Sequence, residues 1–306
     1  MKNAVFAVAG LAALAAGMIA VAQTPKVVTI GSKVDTEGAL LCQMTKQLLE
    51  SKGYKVTDKC STGTTPVVRK ALLQGEIDMY PEYTGSAAYF PEYKDVKFST
   101  NDARALFVQV RTYEAKNGVV WLNPAPANNT WALAVTKKLA DAENLKTMAD
   151  FARYVNAGKT VKLAASQEFV DREDALKAFE KTYGFKLKSE QLLILPGGNT
   201  TQTQTAASQG TSGVNFAMAY GTDGAIGALG LVALTDPKGA VAVYQPAITV
   251  RKAVADKNRD LGSIINPVFA KLTEGVLSDL NGKIAVGGQS AAKVAGDYLR
   301  SSGAIK

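Results

Sequence analysis

Two periods of apolar residues alternate along this chain. Near the start, the run VVTIG over 27–31 reads as a short buried strand. Leu40, Leu41, Met44, Leu48 and Leu49 then share one helical face, which predicts a helix over 35–52 with Asp35 or Thr36 as its cap and Gly53 as its stop. A strand follows over 54–59. Gly63-Thr64-Thr65-Pro66 opens the next helix, with Pro66 in the first turn, Val67, Val68, Ala71 and Leu72 on the apolar side, and Gly75 at the end. A third strand is predicted over 77–80, broken by Pro81. Strand–helix–strand–helix–strand is the pattern of a parallel sheet with helical crossovers.

The pattern continues with a helix over 101–116, a strand over 119–122, a PAPANNT loop over 124–130 and an apolar strand over 131–135. From Lys137 a second series begins. It holds helices over 145–156, 174–183 and 200–209, and strands over 161–165, 192–195, 214–219 and 231–235. A strand over 241–251 then returns, followed by two C-terminal helices over about 260–272 and 290–301. We read 135–235 as a second α/β lobe inserted into a first lobe made of 23–134 and 236–306. Two lobes joined by two crossings leave a cleft, and in open α/β sheets ligands sit beyond the carboxyl ends of the strands. No internal repeat is evident.

The first residues read as a processing signal. Lys2 gives a positive start, residues 4–21 are apolar, and Ala20-Val21-Ala22 offers small residues for cleavage. A cleaved signal peptide over 1–22 predicts an exported, soluble mature chain; the alternative is an uncleaved anchor. Removing the signal takes only Lys2 from a chain of formal net charge +8. Basic residues are scattered, as at Lys137-Lys138 and Arg251-Lys252, which argues against nucleic acid as a partner. Cys42 and Cys60 fall at the same edge of the predicted sheet, where a structural disulfide is permitted in an oxidising compartment; two separate thiols are the alternative. The chain has 0 histidines, which removes the usual general base and the commonest transition-metal ligand. No metal-ligand spacing is visible, and no cofactor is expected.

The densest chemistry lies in EIDMYPEYTGSA over 76–87. A strand there delivers tyrosines, a carboxylate, hydroxyls and a glycine into one turn. Ring faces attract a cation, and hydroxyls and loop amides serve an anion. A small ligand carrying both charges, such as a methylated ammonium acid, suits that mixture; a turn with half-buried tyrosines is the plain alternative. Gly63-Thr64-Thr65 and Gly197-Gly198-Asn199-Thr200 precede helices, where they can either bind an anion through backbone amides or cap the helix.

The strings IGSKVDTEGALL, GTTPVVRKAL, GEIDMYPEYTGSA, PAPANNTWALAV, LAASQEFVDREDAL, FAMAYGTDG and VYQPAITVR together resemble a known family. The chain is similar to periplasmic substrate-binding proteins of osmoprotectant ABC importers, of the YehZ/OsmF type, over essentially its whole mature length. These carry glycine betaine, choline or related quaternary amines. The resemblance implies a type II periplasmic-binding-protein fold. Two lobes would close on ligand by a hinge, and a monomeric receptor would dock to a membrane permease with a cytoplasmic ATPase. It implies an aromatic cage of Tyr83, Trp131, Tyr220 and Tyr244 around the ammonium. Trp131 stands where relatives often have tyrosine, and VYQPA stands where betaine binders often show a PPY-like string. Lys33, Ser86 and Arg172 are implied for a ligand carboxylate, with Thr64 and Thr65 lining the cleft. If the carboxylate contacts fail, specificity shifts toward choline or another amine. Rival readings are a receptor for carnitine, a polyamine, an amino acid or a sulfonate, or an exported enzyme using Glu82 and Asp223.

Overall fold

The computed structural model describes residues 26–196 and 199–306. The expected signal peptide lies outside the described residues. The first lobe opens with β1 (Lys26–Lys33), α1 (Thr36–Glu50), β2 (Tyr54–Gly63), α2 (Thr65–Gln74), β3 (Met79–Tyr83), α3 (Thr84–Ala88), α4 (Ala103–Lys116) and β4 (Val119–Trp121). The second lobe follows with β5 (Trp131–Thr136), α5 (Lys137–Glu143), α6 (Met148–Asn156), β6 (Leu163–Ser166), α7 (Gln167–Asp171), α8 (Leu176–Tyr183) and β7 (Leu192–Leu195). It is completed by α9 (Thr200–Gln209), β8 (Phe216–Tyr220), α10 (Ala225–Ala228) and β9 (Leu231–Ala233). The chain then returns through β10 (Pro246–Arg251), α11 (Lys252–Lys257), α12 (Leu261–Phe269), α13 (Glu274–Ala285) and α14 (Ala291–Ser301).

Each lobe is built on a five-stranded mixed sheet. The first has the order β2-β1-β3-β10-β4 and the second β7-β6-β8-β5-β9. β1, β2 and β3 run parallel, and β10 closes antiparallel between β3 and β4. In the second sheet β6 runs parallel to β7 and β8, and β5 runs antiparallel to β8 and β9. The leucine face of α1 is buried against α14 and the first sheet, in a core with Ile248, Val250, Phe269 and Leu299. The second lobe centres on Phe151, Phe169, Phe179 and Phe216, all fully buried. Cys42 on α1 and Cys60 on β2 are disulfide-bonded, with Cα atoms 5.9 Å apart.

Local chemistry explains the helix ends. The Asp35 carboxylate accepts from the Gly38 amide at 2.7 Å and caps α1. Thr147 and Asp150 form a reciprocal capping box on α6. Gly75 ends α2 at φ 77°, a backbone conformation that glycine adopts without strain.

Several expected boundaries change. β3 does not break at Pro81 but runs on to Tyr83, with Pro81 opposite Ile248. The Ile248 carbonyl accepts from the Leu122 amide on the other side, so β10 asks for no N–H from Pro81. The segment 241–245 is a crossing rather than a strand, and β10 starts at Pro246. β5 pairs within the second sheet from Trp131 onward, so the expected boundary at 134/135 falls inside a strand. Four short helices, α3, α5, α7 and α10, and the longer α11 to α13 region are richer than the periodicity suggested. α13 in particular was not expected at all. Its apolar face is narrow, with only Leu277 and Leu280 buried beside Asn281.

The two crossings run side by side. The Asn129 amide donates to the Tyr244 carbonyl at 2.9 Å, the Tyr244 amide to the Asn128 side chain at 2.8 Å, and the Thr130 hydroxyl to the Ala242 carbonyl at 2.8 Å.

Candidate binding cleft between the lobes

Strand ends place the site. β1 delivers Lys33, β3 delivers Tyr83 and β8 delivers Tyr220, each at its carboxyl end. Trp131 begins β5, Thr64 and Thr65 open α2, Ser86 lies on α3, Arg172 follows α7, and Tyr244 comes from the second crossing. All nine line one cavity, together with Val34, Asp35, Asn129 and Glu168.

The aromatic wall follows from sheet register. Trp131 and Tyr220 are opposite one another in the antiparallel β5–β8 pair, so their side chains leave the same face. Their ring centroids are 4.7 Å apart, with Phe169 at 5.2 Å and Tyr244 at 6.2 Å from the indole. The indole Nε1–H donates to the Tyr244 hydroxyl at 3.0 Å, and that hydroxyl in turn donates to Asp174. Gly85 lies under the Tyr244 ring, and a Cβ there would overlap it. The glycine of the YTGS string is thereby accounted for by close approach. A cavity of about 30 Å³ remains between these side chains.

Both bases in the cleft are already paired. Lys33 Nζ lies 2.5 Å from Glu82 Oε1, 3.3 Å from Ser86 Oγ and 4.9 Å from the Tyr83 ring centroid. Glu82 is fully buried and also accepts from the Tyr80 hydroxyl at 2.9 Å and the Tyr83 amide at 2.7 Å. Arg172 forks onto Asp174 with bonds of 2.8 and 2.6 Å, and reaches Glu168 at 3.0 Å and Tyr244 at 3.3 Å. Its guanidinium carbon lies 5.8 Å from the Trp131 ring. Asp35 and Glu168 add two carboxylates to the lining. Burial pushes the Asp35 carboxyl up, against the Gly38 amide and the Lys33 charge. Thr64 caps α2 without a side-chain bond, so its hydroxyl is spare.

Two further carboxylates sit behind the cleft. Asp223 accepts from the Tyr220 amide at 2.7 Å, Thr200 at 2.9 Å and Gln204 at 2.5 Å, and burial pushes it up to about 6. Thr200 therefore serves Asp223, and Asn199 caps α9 through the Thr201 amide at 3.0 Å. Gly197 and Gly198 of the candidate anion loop lie outside the described residues. Glu37 accepts four hydrogen bonds and is pushed up to about 7 by burial, against the bonds from Thr222, Asn281 and Tyr83. Neither Glu37 nor its partner Asn281 was singled out in the sequence. Asp35, Glu168 and Phe169 lie within motifs quoted above, but Asp35 was read only as a helix cap and no role was attached to the other two. Their signal was position, since each directly follows or opens an element whose end faces the cleft.

Comparison with known proteins identifies the family. Residues 26–301 match the family described as the substrate binding domain of ABC-type glycine betaine transport system. The chain is 49% identical to the glycine betaine-binding protein YehZ of Escherichia coli, over 93% of each chain. It is 31% identical to a glycine-betaine-binding protein of Pseudomonas aeruginosa, over 89% of this chain and 86% of that one. Among solved structures, apo YehZ from E. coli matches with TM-score 0.68 and 48% identity, covering 92% of this chain and 100% of that one.

Proposed function

Because the chain belongs to the family of substrate-binding domains of ABC-type glycine betaine transport systems, we propose that it is an exported receptor for glycine betaine or a related quaternary amine. It hands its ligand to an inner-membrane permease driven by an ATPase, and it carries out no covalent chemistry. The observation that carries this reading is the meeting of Trp131, Tyr220, Tyr244 and Tyr83 at one cavity. A quaternary ammonium donates no conventional hydrogen bond, so its recognition rests on ring faces and shape, each desolvated contact being worth up to about 2 kcal/mol.

Trp131 is now packed by Tyr220 and Tyr244, whose ring centroids lie 4.7 and 6.2 Å from it, so an ammonium seated among these rings must separate them. Ligand entry therefore requires the walls to part. The paired crossings at 122–130 and 234–245 supply the hinge, and ligand shifts the population toward a closed form that the permease reads.

The carboxylate of glycine betaine would meet Ser86, Thr64 and Thr65, with Lys33 and Arg172 behind them. Both bases are neutralised by Glu82, Asp174 and Glu168. That pairing favours a second reading, in which the ligand is a quaternary amine without a carboxylate, such as choline.

The test is the double substitution Trp131→Ala with Tyr220→Ala. Calorimetric titration of the refolded, ligand-free protein with glycine betaine, choline and carnitine should show saturable binding that the variant loses while keeping its circular dichroism. Unchanged affinity in the folded variant sinks the cage.

A further inference from the structure

Among the described residues, Glu37 has no cation beside it. Its Oε1 accepts from the Tyr83 hydroxyl at 2.9 Å and Asn129 at 3.0 Å; its Oε2 accepts from Thr222 at 2.5 Å and Asn281 at 2.8 Å. Four neutral donors therefore fill the four acceptor positions of a carboxyl group that is only 3% exposed. A buried carboxylate is costly unless it is fully bonded, and its place in the first turn of α1 adds the favourable end of the helix dipole.

The donors come from different parts of the molecule. Tyr83 ends β3, and Asn281 is on α13, both in the first lobe. Asn129 is on the first crossing, and Thr222 follows β8 in the second lobe. Thr222 is thus the single donor of the four that leaves when the lobes part. Its loop is seated closely. Asn281 also donates to the Thr222 carbonyl at 3.1 Å, and a Cβ at Gly224 would overlap the backbone of Ser278 and Gly282 on α13.

We propose that Glu37 is a latch that couples the Tyr83 wall of the cleft to closure of the lobes. This rests on the receptor function proposed above. Tyr83 presents its ring to the cavity and its hydroxyl to Glu37, so a ligand that settles the ring also settles the carboxylate. Glu37 then holds Thr222, which lies outside the cavity lining, and through it the second lobe. Glu37 and Thr222 act on binding as positioning residues.

Thr222→Val keeps the shape and removes the donor. In calorimetric titration with glycine betaine and choline, the expected result is about tenfold weaker binding, the effect of one bond to a buried charged group. Thr222→Ser should restore affinity to near that of the unaltered protein. Equal affinities for the unaltered protein and Thr222→Val overturn the latch. If Thr222→Val does not fold, Gly224→Ala, which pushes the same loop off α13, carries the same expectation. If the unaltered protein binds no amine of the panel, the receptor reading falls alone. Small-angle scattering of the ligand-free proteins then decides the latch: Thr222→Val must be more extended, and identical profiles overturn it.

Discussion

Two buried carboxylates flank Tyr83 and are held in opposite ways. Glu82 is neutralised by Lys33 at 2.5 Å, and its other partners, Tyr80 and the Tyr83 amide, belong to the same strand. Glu37 has no counter-ion among the described residues and is held by neutral donors gathered from two lobes and a crossing. The first arrangement is complete within one lobe and can serve as fixed framework. The second is complete only when the lobes are together. A charge pair within one body suits permanence, and a set of shared neutral donors suits a contact that must form and release.

The largest effect is expected at the fixed pair. Glu82→Gln strands the Lys33 ammonium, whose side chain is only 11% exposed, and should cost about 3 kcal/mol or more of folding stability in urea denaturation. A loss below about 1 kcal/mol would mean that Lys33 finds solvent or another partner, and the contrast with Glu37 would weaken.

The next effect is a pH dependence at Glu37. Its pKa is raised from 4.5 to about 7 by burial. The folded form therefore binds more protons than the unfolded form between those values, and stability falls as pH rises. The contribution is fully present below about 4.5 and is lost through about 7, a span on the order of 3 kcal/mol. Asp223, raised from 3.8 to about 6, acts in the same direction over a lower window. Denaturation midpoints of the unaltered protein should fall from pH 5 to 8, and Glu37→Gln should flatten most of that slope. An unchanged slope in the variant would place the dependence elsewhere.

How legible these features were differs with their physical basis. The cleft aromatics were implied by the family resemblance of the strings that hold them, whereas which ring meets which depends on the β5–β8 register, which only the structure supplies. The β–α alternation of the first lobe was readable because apolar period and glycine stops coincide. Glu37 was invisible because its meaning comes from Asn281, 244 positions away on a helix with a narrow apolar face. The length of β3 was misread because proline breaks a central strand only where a neighbour needs its N–H. Arg172 is implied for a ligand carboxylate by the resemblance, and its place beside Glu168 and Asp174, both within four positions, also gives it local partners that engage it.

A smaller effect is expected at Gly85. Gly85→Ala forces the Tyr244 ring off its seat and should cost about 1–3 kcal/mol, with weaker amine binding, since Tyr244 is both core and cleft wall. The smallest lies at the surface. Lys137 and Asp141 pair at 2.8 Å with side chains 66% and 65% exposed, and Lys137→Ala should change stability by no more than about 0.5 kcal/mol. A larger loss there would show that proximity of charges, rather than their burial, decides what a pair contributes.

The central claim is that ring faces select a positive charge. The direct measurement is calorimetric titration of refolded protein with choline and with its neutral carbon isostere, 3,3-dimethylbutan-1-ol. The expected result is binding of choline at least about tenfold tighter than the isostere, reflecting the cation–ring attraction. Equal affinity for the two, with choline bound, would contradict it and leave the cleft a site that reads shape alone.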